Sequence, residues 1–290
     1  MSGVFDPALR LVQPAPTPPP DAQRPVRTIA WRDGVAVPRA RPVAEETPVA
    51  LTYQRATHAV MLASPDDLED FAIGFSLSEG IITDPAQIVS LEVVALPDGI
   101  ELRMDLASDR LHALTRRQRR IAGPSGCGLC GMDSLAEAIR PPPTVPSGPI
   151  LTPDAIATAL DTLWPAQRLN QATRAAHAAA FWTPVQGLVA LREDIGRHNA
   201  LDKLIGAMAR QARGAADGVL LLSSRVSLEM AQKAAIMGVP VIVAVSAPTA
   251  LAIDVAEAAG ITLIGIARAD GFEVFTHPQR IQTRSGPHVA

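Results

Sequence analysis

The sequence predicts an α/β fold, and its second half predicts a three-layer α/β/α sandwich with a mixed sheet. Three short, continuous apolar runs at residues 218–223, 239–245 and 261–267 alternate with two segments of helical periodicity. Strands that are apolar on both sides belong to a sheet that is covered on both faces. Helical crossovers make consecutive strands of this kind parallel, so we expect a parallel core with helices on both faces.

The segments before these strands complete the predicted sandwich. Residues 153–163 have the periodicity of a helix, and a further helix follows near Ala200. Residues 175–182 and 188–192 are apolar runs around a short turn, which predicts an antiparallel pair of strands. Because this pair joins a parallel core, the sheet is expected to be mixed.

The first half predicts a smaller α+β domain. Two pairs of strands, within residues 49–63 and 89–106, have the alternation and turn residues of hairpins. Between them we expect a helix that is capped by Ser64 and has Pro65 in its first turn. A second helix is predicted at residues 109–121.

Two proline-rich stretches suggest where the domains begin and end. Residues 11–25 contain six prolines and few large apolar side chains, which favours a disordered tail. A second series, from Pro141 to Pro153, interrupts both helix and sheet and predicts a linker. The predicted organisation is a tail at 1–26, the α+β domain at 27–143, the sandwich domain at 144–282 and a tail at 283–290.

The composition argues against several classes of protein. Lys and Arg total 26 against 29 Asp and Glu, a net charge of -3, whereas a general nucleic-acid binder needs a basic excess. No apolar run approaches the roughly 20 residues of a membrane span, and residues 1–25 lack the pattern of a secretion signal. Both cysteines lie in one Cys-x-x-Cys rather than in a disulfide framework, so we expect a cytoplasmic protein.

The strongest chemical signal is the segment Gly126-Cys-Gly-Leu-Cys-Gly131. Thiolate is the reactive form of cysteine, and a helix N-terminus or nearby cations raise its fraction. Cys127 precedes a predicted helix at residues 132–139, and its flanking glycines favour an accessible loop. Four arginines between Arg116 and Arg120 either form a solvated helix face or help to hold a thiolate and guide an anionic partner.

The same two cysteines have two other interpretations. Cys127 and Cys130 form half of a zinc site, which His177 and His198 from the second domain could complete. Alternatively, the pair is a redox dithiol, although such a motif usually lies between a strand and a helix. The residues alone leave both interpretations open.

Small and polar residues follow each of the three predicted parallel strands. The three segments are Ser223-Ser224-Arg225, Ser246-Ala247-Pro248-Thr249 and Arg268-Ala269-Asp270-Gly271. Ligands of open α/β sheets bind outside the carboxyl ends of the strands, and Ser246 or Thr249 would cap a helix whose N-terminus favours an anion. Such residues also make ordinary turns, but two arginines at one edge predict a site for a phosphate-bearing ligand.

A dense group of polar residues lies between Arg192 and Lys203. On a helix that begins near Arg197, His198 and Asp202 would share one face, and Asp194 could orient the preceding turn. This group is either the polar start of a helix or part of a functional site.

The order of these motifs resembles that of the formate dehydrogenase accessory sulfurtransferase family (FdhD). The resemblance runs from about residue 27 to about residue 281. Its motifs are Phe71-Ala-Ile-Gly-Phe-Ser-Leu-Ser-Glu-Gly-Ile-Ile82, Gly126-Cys-Gly-Leu-Cys-Gly131, Asp194-Ile-Gly-Arg-His-Asn-Ala-Leu-Asp-Lys203, Ser223-Ser-Arg225 and Ser246-Ala-Pro-Thr249.

The resemblance implies a sulfur carrier with a cytidine-deaminase-like second domain. Members take persulfide sulfur from a cysteine desulfurase on the residue that matches Cys127, with Cys130 as the second cysteine of the motif. They pass the sulfur to molybdenum or tungsten in a bis-molybdopterin guanine dinucleotide cofactor, which serves formate dehydrogenase. The family is typically homodimeric. Because the sequence lacks a complete set of zinc ligands, we expect no metal site of the protein's own.

The same resemblance assigns the cofactor to the predicted strand edge. The family's cofactor segment matches Ile266-Ala267-Arg268-Ala269-Asp270-Gly271. The other candidate cofactor-binding residues are Ser224, Arg225, Ser246, Thr249 and His198. The family's glycine-rich stretch before the histidine is replaced here by Ala172-Thr-Arg-Ala-Ala176, which precedes His177. The rival from another class, a zinc-dependent deaminase-like hydrolase, would need a His-x-Glu before its cysteines, and this sequence has none there.

Overall fold

The computed structural model describes residues 18–108, 110 and 141–282. Their strands are β1 (Gln23–Arg32), β2 (Val35–Ala44), β3 (Thr47–Tyr53), β4 (Ala56–Ala63), β5 (Ile88–Leu96), β6 (Gly99–Leu106), β7 (His177–Thr183), β8 (Gly187–Asp194), β9 (Val219–Leu222), β10 (Val241–Ala244), β11 (Thr262–Arg268) and β12 (Gly271–Val274). Their helices are α1 (Leu68–Ser78), α2 (Pro153–Ala166), α3 (Arg168–Thr173), α4 (Arg197–Arg210), α5 (Leu228–Met237) and α6 (Ala250–Ala259).

A six-stranded mixed sheet forms the centre of the second half, in the order β12-β11-β10-β9-β7-β8. Strands β9, β10 and β11 are parallel neighbours, whereas β7 and β12 join them antiparallel. Strand β8 completes the sheet by pairing antiparallel with β7. The predicted mixed sheet with a parallel core is therefore confirmed. The short strand β12 and the helix α3 were not predicted.

Apolar cores lie on both faces of this sheet, which confirms the three-layer sandwich. Helices α4, α5 and α6 cover one face, where Leu204 and Met230 are buried against Leu220. Helix α2 covers the other face through Ile156 and Leu163. None of the helices in the described part of the chain has both the length and the apolar surface that a bilayer crossing demands.

A four-stranded sheet, in the order β4-β3-β6-β5, forms the centre of the first half. Both predicted hairpins are confirmed, since β3 pairs antiparallel with β4 and β5 with β6. Helix α1 packs on one face of this sheet through Phe71 and Phe75. The start of α1 differs from the prediction: the helix begins at Leu68, and Asp67, not Ser64, is its N-cap residue.

Helices α1 and α4 cross in close contact and join the two halves. A Cβ atom added to Gly74 would lie 1.7 Å from the backbone oxygen of Asp202, and one added to Gly206 would lie 1.9 Å from that of Asp70. Any larger side chain would push the helices apart, so these two glycines set the distance between the halves.

Strands β1 and β2 form a separate two-stranded hairpin outside both larger sheets. Strand β1 begins at Gln23, so regular structure starts within the stretch that was expected to be a disordered tail. The prolines that suggested disorder also fit an extended strand, because the fixed φ of proline is compatible with β structure at a sheet edge.

Candidate functional site

The carboxyl ends of β9, β10 and β11 lie side by side because these strands are parallel neighbours. The loops beyond them remain in contact. The backbone N–H of Ile266 donates to the oxygen of Ser246 at 3.2 Å, and that of Thr249 donates to the oxygen of Val226 at 3.0 Å. The structure thus brings the three predicted polar segments together at one edge of the sheet.

Two guanidinium groups at this edge are open to solvent. Arg225 and Arg268 are both exposed. Across residues 18–108, 110 and 141–282, neither side chain has a hydrogen bond or an ion pair. Ala269, Asp270 and Gly271 are exposed beside Arg268 and form the turn into β12. Charge without a partner at a strand edge is what an anionic ligand would require.

Other predicted residues of this edge point inward or act locally. Ser224 is 4% exposed, and its hydroxyl donates to the backbone oxygen of Arg225 at 3.0 Å. Ala267 is buried, while Ile266 is half-buried with a φ of 52°. Of the two predicted caps, Thr249 is the N-cap of α6, where its side chain accepts a hydrogen bond from the backbone of Ala252 at 3.3 Å.

Three helices begin at the same edge of the sheet. Helices α5 and α6 follow β9 and β10 directly, and α4 begins beside them because β8 ends at Asp194 next to the start of β7. The N-cap residues of α4 and α5, Gly196 and Ser227, make no side-chain capping hydrogen bond. The first backbone N–H groups of a helix lack partners within the helix and favour negative charge.

His198 lies between two of these helix N-termini. Its Nε2 is 2.9 Å from Oε2 of Glu229 and 3.4 Å from the hydroxyl of Ser227. Two buried atoms beside this contact, Nε of Arg197 and Oε1 of Glu229, have no hydrogen-bond partner in the described part of the protein. The starts of α4 and α5 therefore each carry a buried polar atom that has no hydrogen-bond partner among the described residues.

His177 begins β7 at the same edge and pairs with Asp194 across the two strands. Burial lowers the pKa of His177, and the positive charge of Arg197 lowers it further, while Asp194 opposes the shift. The neutral imidazole is thus favoured at this position, with one ring nitrogen as donor and the other as acceptor.

Much of the Asp194–Lys203 segment is structural. Oδ1 of Asp194 accepts hydrogen bonds from the backbone of Gly196 at 2.7 Å and from the amide of Asn199 at 3.0 Å, which confirms that Asp194 orients the turn. Its other oxygen accepts from the backbone N–H of Ser64 at 2.9 Å and lies 2.8 Å from the ammonium of Lys203. The residue expected to cap α1, Ser64, is instead part of the contact between the halves.

Asp202 faces a different environment from His198, although the two are one turn apart. It is 1% exposed and accepts hydrogen bonds from Lys233 at 2.8 and 2.9 Å and from Ser78 at 2.6 Å. Burial opposes the charge of Lys233, but the carboxylates of Asp202 and Glu79 outweigh it and raise the pKa of that lysine. This cluster links α4 and α5 to the end of α1.

A third charged network also crosses between the halves. Asp70 on α1 is 4% exposed and binds Arg192 at 2.7 Å and Arg210 at 2.9 Å. The sequence alone did not indicate these partners of Asp70, which lie more than a hundred residues away along the chain. The mid-helix glycines Gly74 and Gly206 were the available signal for a close crossing.

The two cysteines, Cys127 and Cys130, and the arginines at 116–120 lie outside the described residues. The zinc hypothesis required those cysteines together with His177 and His198. Within residues 18–108, 110 and 141–282, no group of three His, Cys, Asp or Glu side chains is arranged to hold a metal ion.

Comparisons with known proteins agree with the motifs. The profile of the FdhD/NarQ family matches residues 44–282. The chain is 49% identical over 259 residues to the sulfur carrier protein FdhD of Agrobacterium fabrum, an alignment that spans 89% of this chain and 96% of the relative. It is 45% identical over 278 residues to the protein of the same name from Bordetella petrii, which spans 95% and 99%.

A solved structure supports the fold. It comes from Desulfotalea psychrophila, and its description proposes a formate dehydrogenase accessory protein. It superposes with a TM-score of 0.71 at 24% identity and spans 90% of this chain and 100% of that one. At this identity the likeness concerns the fold, whereas the family profile and the two relatives concern the sequence over most of its length. On these grounds the chain belongs to the FdhD/NarQ family.

Proposed function

We propose that this protein is a sulfur carrier that serves formate dehydrogenase. Cys127 accepts persulfide sulfur from a cysteine desulfurase, and the sulfur then passes to a bis-molybdopterin guanine dinucleotide cofactor held at the strand edge. The names of the Agrobacterium and Bordetella relatives support a role as sulfur carrier. The finer steps are proposed from the motif and from the geometry of the edge.

The first step is an exchange between two sulfur atoms. The thiolate of Cys127 attacks the terminal sulfur of the desulfurase persulfide, a bond forms between these two sulfurs, and the desulfurase cysteine leaves as a thiolate. The reaction requires the deprotonated thiol as nucleophile. Cys130, three residues further along, is the second proposed catalytic cysteine.

One observation carries the second part of the proposal: exposed arginines and three helix N-termini converge on a single sheet edge. The cofactor is the cargo of the reaction, and its pyrophosphate groups are anionic. The guanidinium groups of Arg225 and Arg268 can each form charge-assisted hydrogen bonds with a phosphate. The backbone groups at the start of α4 and α5 can bind further oxygens, and His198 lies between them.

The remaining predicted residues would shape the edge. Ser246 and Thr249 form the loop against which the cofactor lies, and Thr249 also holds the start of α6. The backbone of Ser224, Ile266 and Ala267 positions the two arginines. The exposed carboxylate of Asp270 can accept hydrogen bonds from the amino and hydroxyl groups of a nucleoside.

The proposal includes partners and a compartment. The donor is a cysteine desulfurase, the recipient is formate dehydrogenase, and a second copy of this chain completes a homodimer. A cytoplasmic location agrees with a motif that depends on free thiols.

The test of the carrier role is the intact mass of the purified protein after incubation with a cysteine desulfurase and cysteine. We expect wild type to gain one sulfur atom that a thiol reductant removes. The Cys127→Ala variant should gain none and leave formate dehydrogenase inactive in cells, and Cys130→Ala reports separately on the second cysteine. A Cys127→Ala protein that still acquires sulfur and activates the enzyme contradicts the proposal.

The alternative function, a zinc-dependent deaminase-like hydrolase, makes a different prediction for the purified protein. It requires one tightly held zinc ion per chain that is lost when Cys127 or Cys130 is replaced. Elemental analysis of protein prepared without a chelator separates the two functions.

A further inference from the structure

His198 and Glu229 form a contact between two helices at the strand edge. His198 lies in the first turn of α4, and Glu229 lies in the first turn of α5. Nε2 of His198 is 2.9 Å from Oε2 of Glu229, and the two side chains are only 19% and 17% exposed. A contact that is largely shielded from water is stronger than an ion pair on the open surface.

The carboxylate of Glu229 has a role beyond its own helix. An acidic residue in the first turn of a helix is commonly explained by its interaction with the helix dipole. Here one oxygen contacts the histidine of the neighbouring helix. The other oxygen, Oε1, is buried and has no hydrogen-bond partner among the described residues. The side chain is therefore directed at His198 and not at the backbone of α5.

The contact fixes which ring nitrogen of His198 carries a hydrogen. An ionised carboxylate only accepts hydrogen bonds, so Nε2 has to donate to Glu229. The hydroxyl of Ser227, 3.4 Å from the same nitrogen, can be a second acceptor. Nδ1 has no hydrogen-bond partner within the described part of the chain. In the neutral imidazole, Nδ1 is then the acceptor nitrogen and the polar ring atom that is left for a ligand.

This arrangement restricts how His198 can bind a phosphate. The oxygens of an ionised phosphate accept hydrogen bonds, and so does Nδ1 of the neutral ring, so two acceptors would face each other. A hydrogen on Nδ1 removes this conflict and gives the ring a positive charge. That proton has to come from solvent, because the hydrogen on Nε2 is already used in the contact with Glu229.

The charges around His198 favour this proton most strongly when an anion is bound. The surrounding titratable groups are Arg197 on α4, Glu229 on α5, His177 at the start of β7 and Asp194 at the end of β8. Asp194 is already paired with a lysine of α4, and burial lowers the pKa of His177 so that its neutral form is favoured. Glu229 thus stabilises the imidazolium and Arg197 opposes it. A bound phosphate adds negative charge and shifts this balance toward the imidazolium.

We propose that Glu229 is a positioning residue for His198. It keeps the hydrogen on Nε2, so that Nδ1 meets the ligand, and His198 takes up a proton from solvent at Nδ1 when a phosphate oxygen binds. The inference rests on the proposed function for the place of the phosphate. It adds that the affinity for the phosphate depends on pH and that Glu229, which does not touch the ligand, controls this dependence.

The first measurement detects the hydrogens on both ring nitrogens of His198, by NMR of protein that contains isotope-labelled histidine. GDP, a fragment of the proposed cofactor, is the probe, and His198→Asn identifies the signals. Near neutral pH we expect wild type without GDP to carry a hydrogen on Nε2 and wild type with saturating GDP to carry one on each nitrogen. In Glu229→Gln the neutral amide no longer requires a donor at Nε2, so the two neutral tautomers should mix and GDP should protonate the ring less.

The second measurement is calorimetry of GDP binding at several pH values, in buffers that differ in ionisation enthalpy. The terminal phosphate of GDP itself takes up a proton near pH 6, as other phosphate esters do, so wild type and variants are compared with the same ligand. Wild type should take up more protons on binding than His198→Asn, by up to about one. Glu229→Gln should weaken binding about 3- to 10-fold near neutral pH and make it less dependent on pH, because the contact loses its charge.

Glu257→Gln is the matched control, because it makes the same change in a second histidine–glutamate contact. Nε2 of His277 lies 3.6 Å from Oε2 of Glu257. Glu257 is two residues from the end of α6, whereas the start of α6 lies at the strand edge. Glu257→Gln should bind GDP with the affinity and the pH dependence of wild type.

Three results would overturn the inference and leave the proposed function intact. The first is wild type that binds GDP while Nδ1 stays without a hydrogen. The second is a Glu229→Gln variant with the His198 signals and the affinity of wild type, and the third is an equal loss of affinity in Glu229→Gln and Glu257→Gln. Circular dichroism verifies that the variants fold, and the NMR signals of wild type decide the first result even if Glu229→Gln does not fold.

A different result would count against the proposed function itself. Absence of GDP binding by wild type contradicts the nucleotide site at this edge, and the present inference fails with it. Sulfur uptake at Cys127, read from intact mass, is independent of His198 and Glu229 and should be the same in all variants. The carrier role is thereby tested separately from the ligand edge.

Discussion

The contact between α1 and α4 and the edge formed by β9, β10 and β11 are both rich in charge, but they use it in opposite ways. At the helix contact the charged groups are buried and paired, as in the cluster of Asp202 and Lys233. At the strand edge, Arg225 and Arg268 are exposed and have no pairing with other described residues. Paired buried charge holds two halves in register, whereas exposed unpaired charge is available to a ligand.

The Asp194–Lys203 segment contributes to both regions. Asp194, Asp202 and Lys203 face the helix contact, while Arg197 and His198 face the strand edge. One motif therefore has a structural side and a ligand-facing side. The position of each residue on the helix, and not its charge, decides which role it has.

The largest effect is expected from breaking the buried pair. Asp202→Asn leaves Lys233 buried with Glu79 as its remaining acidic partner and should lower the free energy of unfolding by about 3–5 kcal/mol. Urea denaturation measures this change. The double variant Asp202→Asn with Lys233→Met removes both charges and should recover much of the loss. A loss below about 1 kcal/mol for Asp202→Asn would show that the pair is not structurally important.

A substitution at the strand edge should change the affinity for a ligand and leave the free energy of unfolding nearly unchanged. Arg268→Ala removes a charge-assisted contact worth about 1.5–3 kcal/mol, so binding of GDP, a fragment of the proposed cofactor, should weaken roughly 10- to 150-fold. Calorimetry on both proteins measures it, and urea denaturation should show a change within about 0.5 kcal/mol. Equal affinities of wild type and variant for GDP would show that Arg268 does not contact the ligand. Absence of GDP binding by wild type would contradict the proposed nucleotide site at this edge.

The close crossing of the helices can be tested with one methyl group. Gly206→Ala places a Cβ atom 1.9 Å from the backbone oxygen of Asp70 and should cost about 1–3 kcal/mol of stability as the helices shift apart. Gly214→Ala is the control, because a Cβ atom there has no neighbour within 4 Å. Similar thermal denaturation of the two variants would argue against a tight crossing.

The smallest effect concerns pH. The folded state lowers the pKa of His177 below its ordinary value of 6.5, mainly through burial. The unfolded chain then takes up a proton first as pH falls, so the stability that this residue contributes is present above pH 6.5 and is lost below it. His177→Asn should make the free energy of unfolding less dependent on pH in that acidic range. If the free energy of unfolding depends on pH in the same way in wild type and variant, His177 does not contribute to that dependence.

Local patterns were sufficient to predict much of the fold. The runs at 218–223, 239–245 and 261–267 are apolar on both sides, and helical segments separate the first two strands from the next ones. Their carboxyl ends therefore had to meet at one edge, and the polar segments that follow them do lie there. The strand β12 was missed because its four residues carry too few apolar positions to show a period.

Contacts between distant segments could not be predicted in this way. The partners of Asp70 lie at Arg192 and Arg210, and no spacing rule links positions so far apart. Ser64 has the residue type of a helix cap, but the tertiary contact with Asp194 determines its role instead. The start of β1 was predicted to be part of a tail because Pro25 continues the proline-rich stretch, and the hairpin of β1 and β2 was not predicted.

The helix crossing also changes the meaning of the proline-rich stretch at residues 141–150. A chain cut there would yield one fragment with the acids Asp66 and Asp70 and another with their bases, and each fragment would display a groove lined by a bare glycine. The proline-rich stretch thus marks a boundary in the sequence, whereas in the folded molecule the contact between α1 and α4 joins the two halves. A functional chimera of two relatives therefore has to inherit α1 and α4 from the same parent.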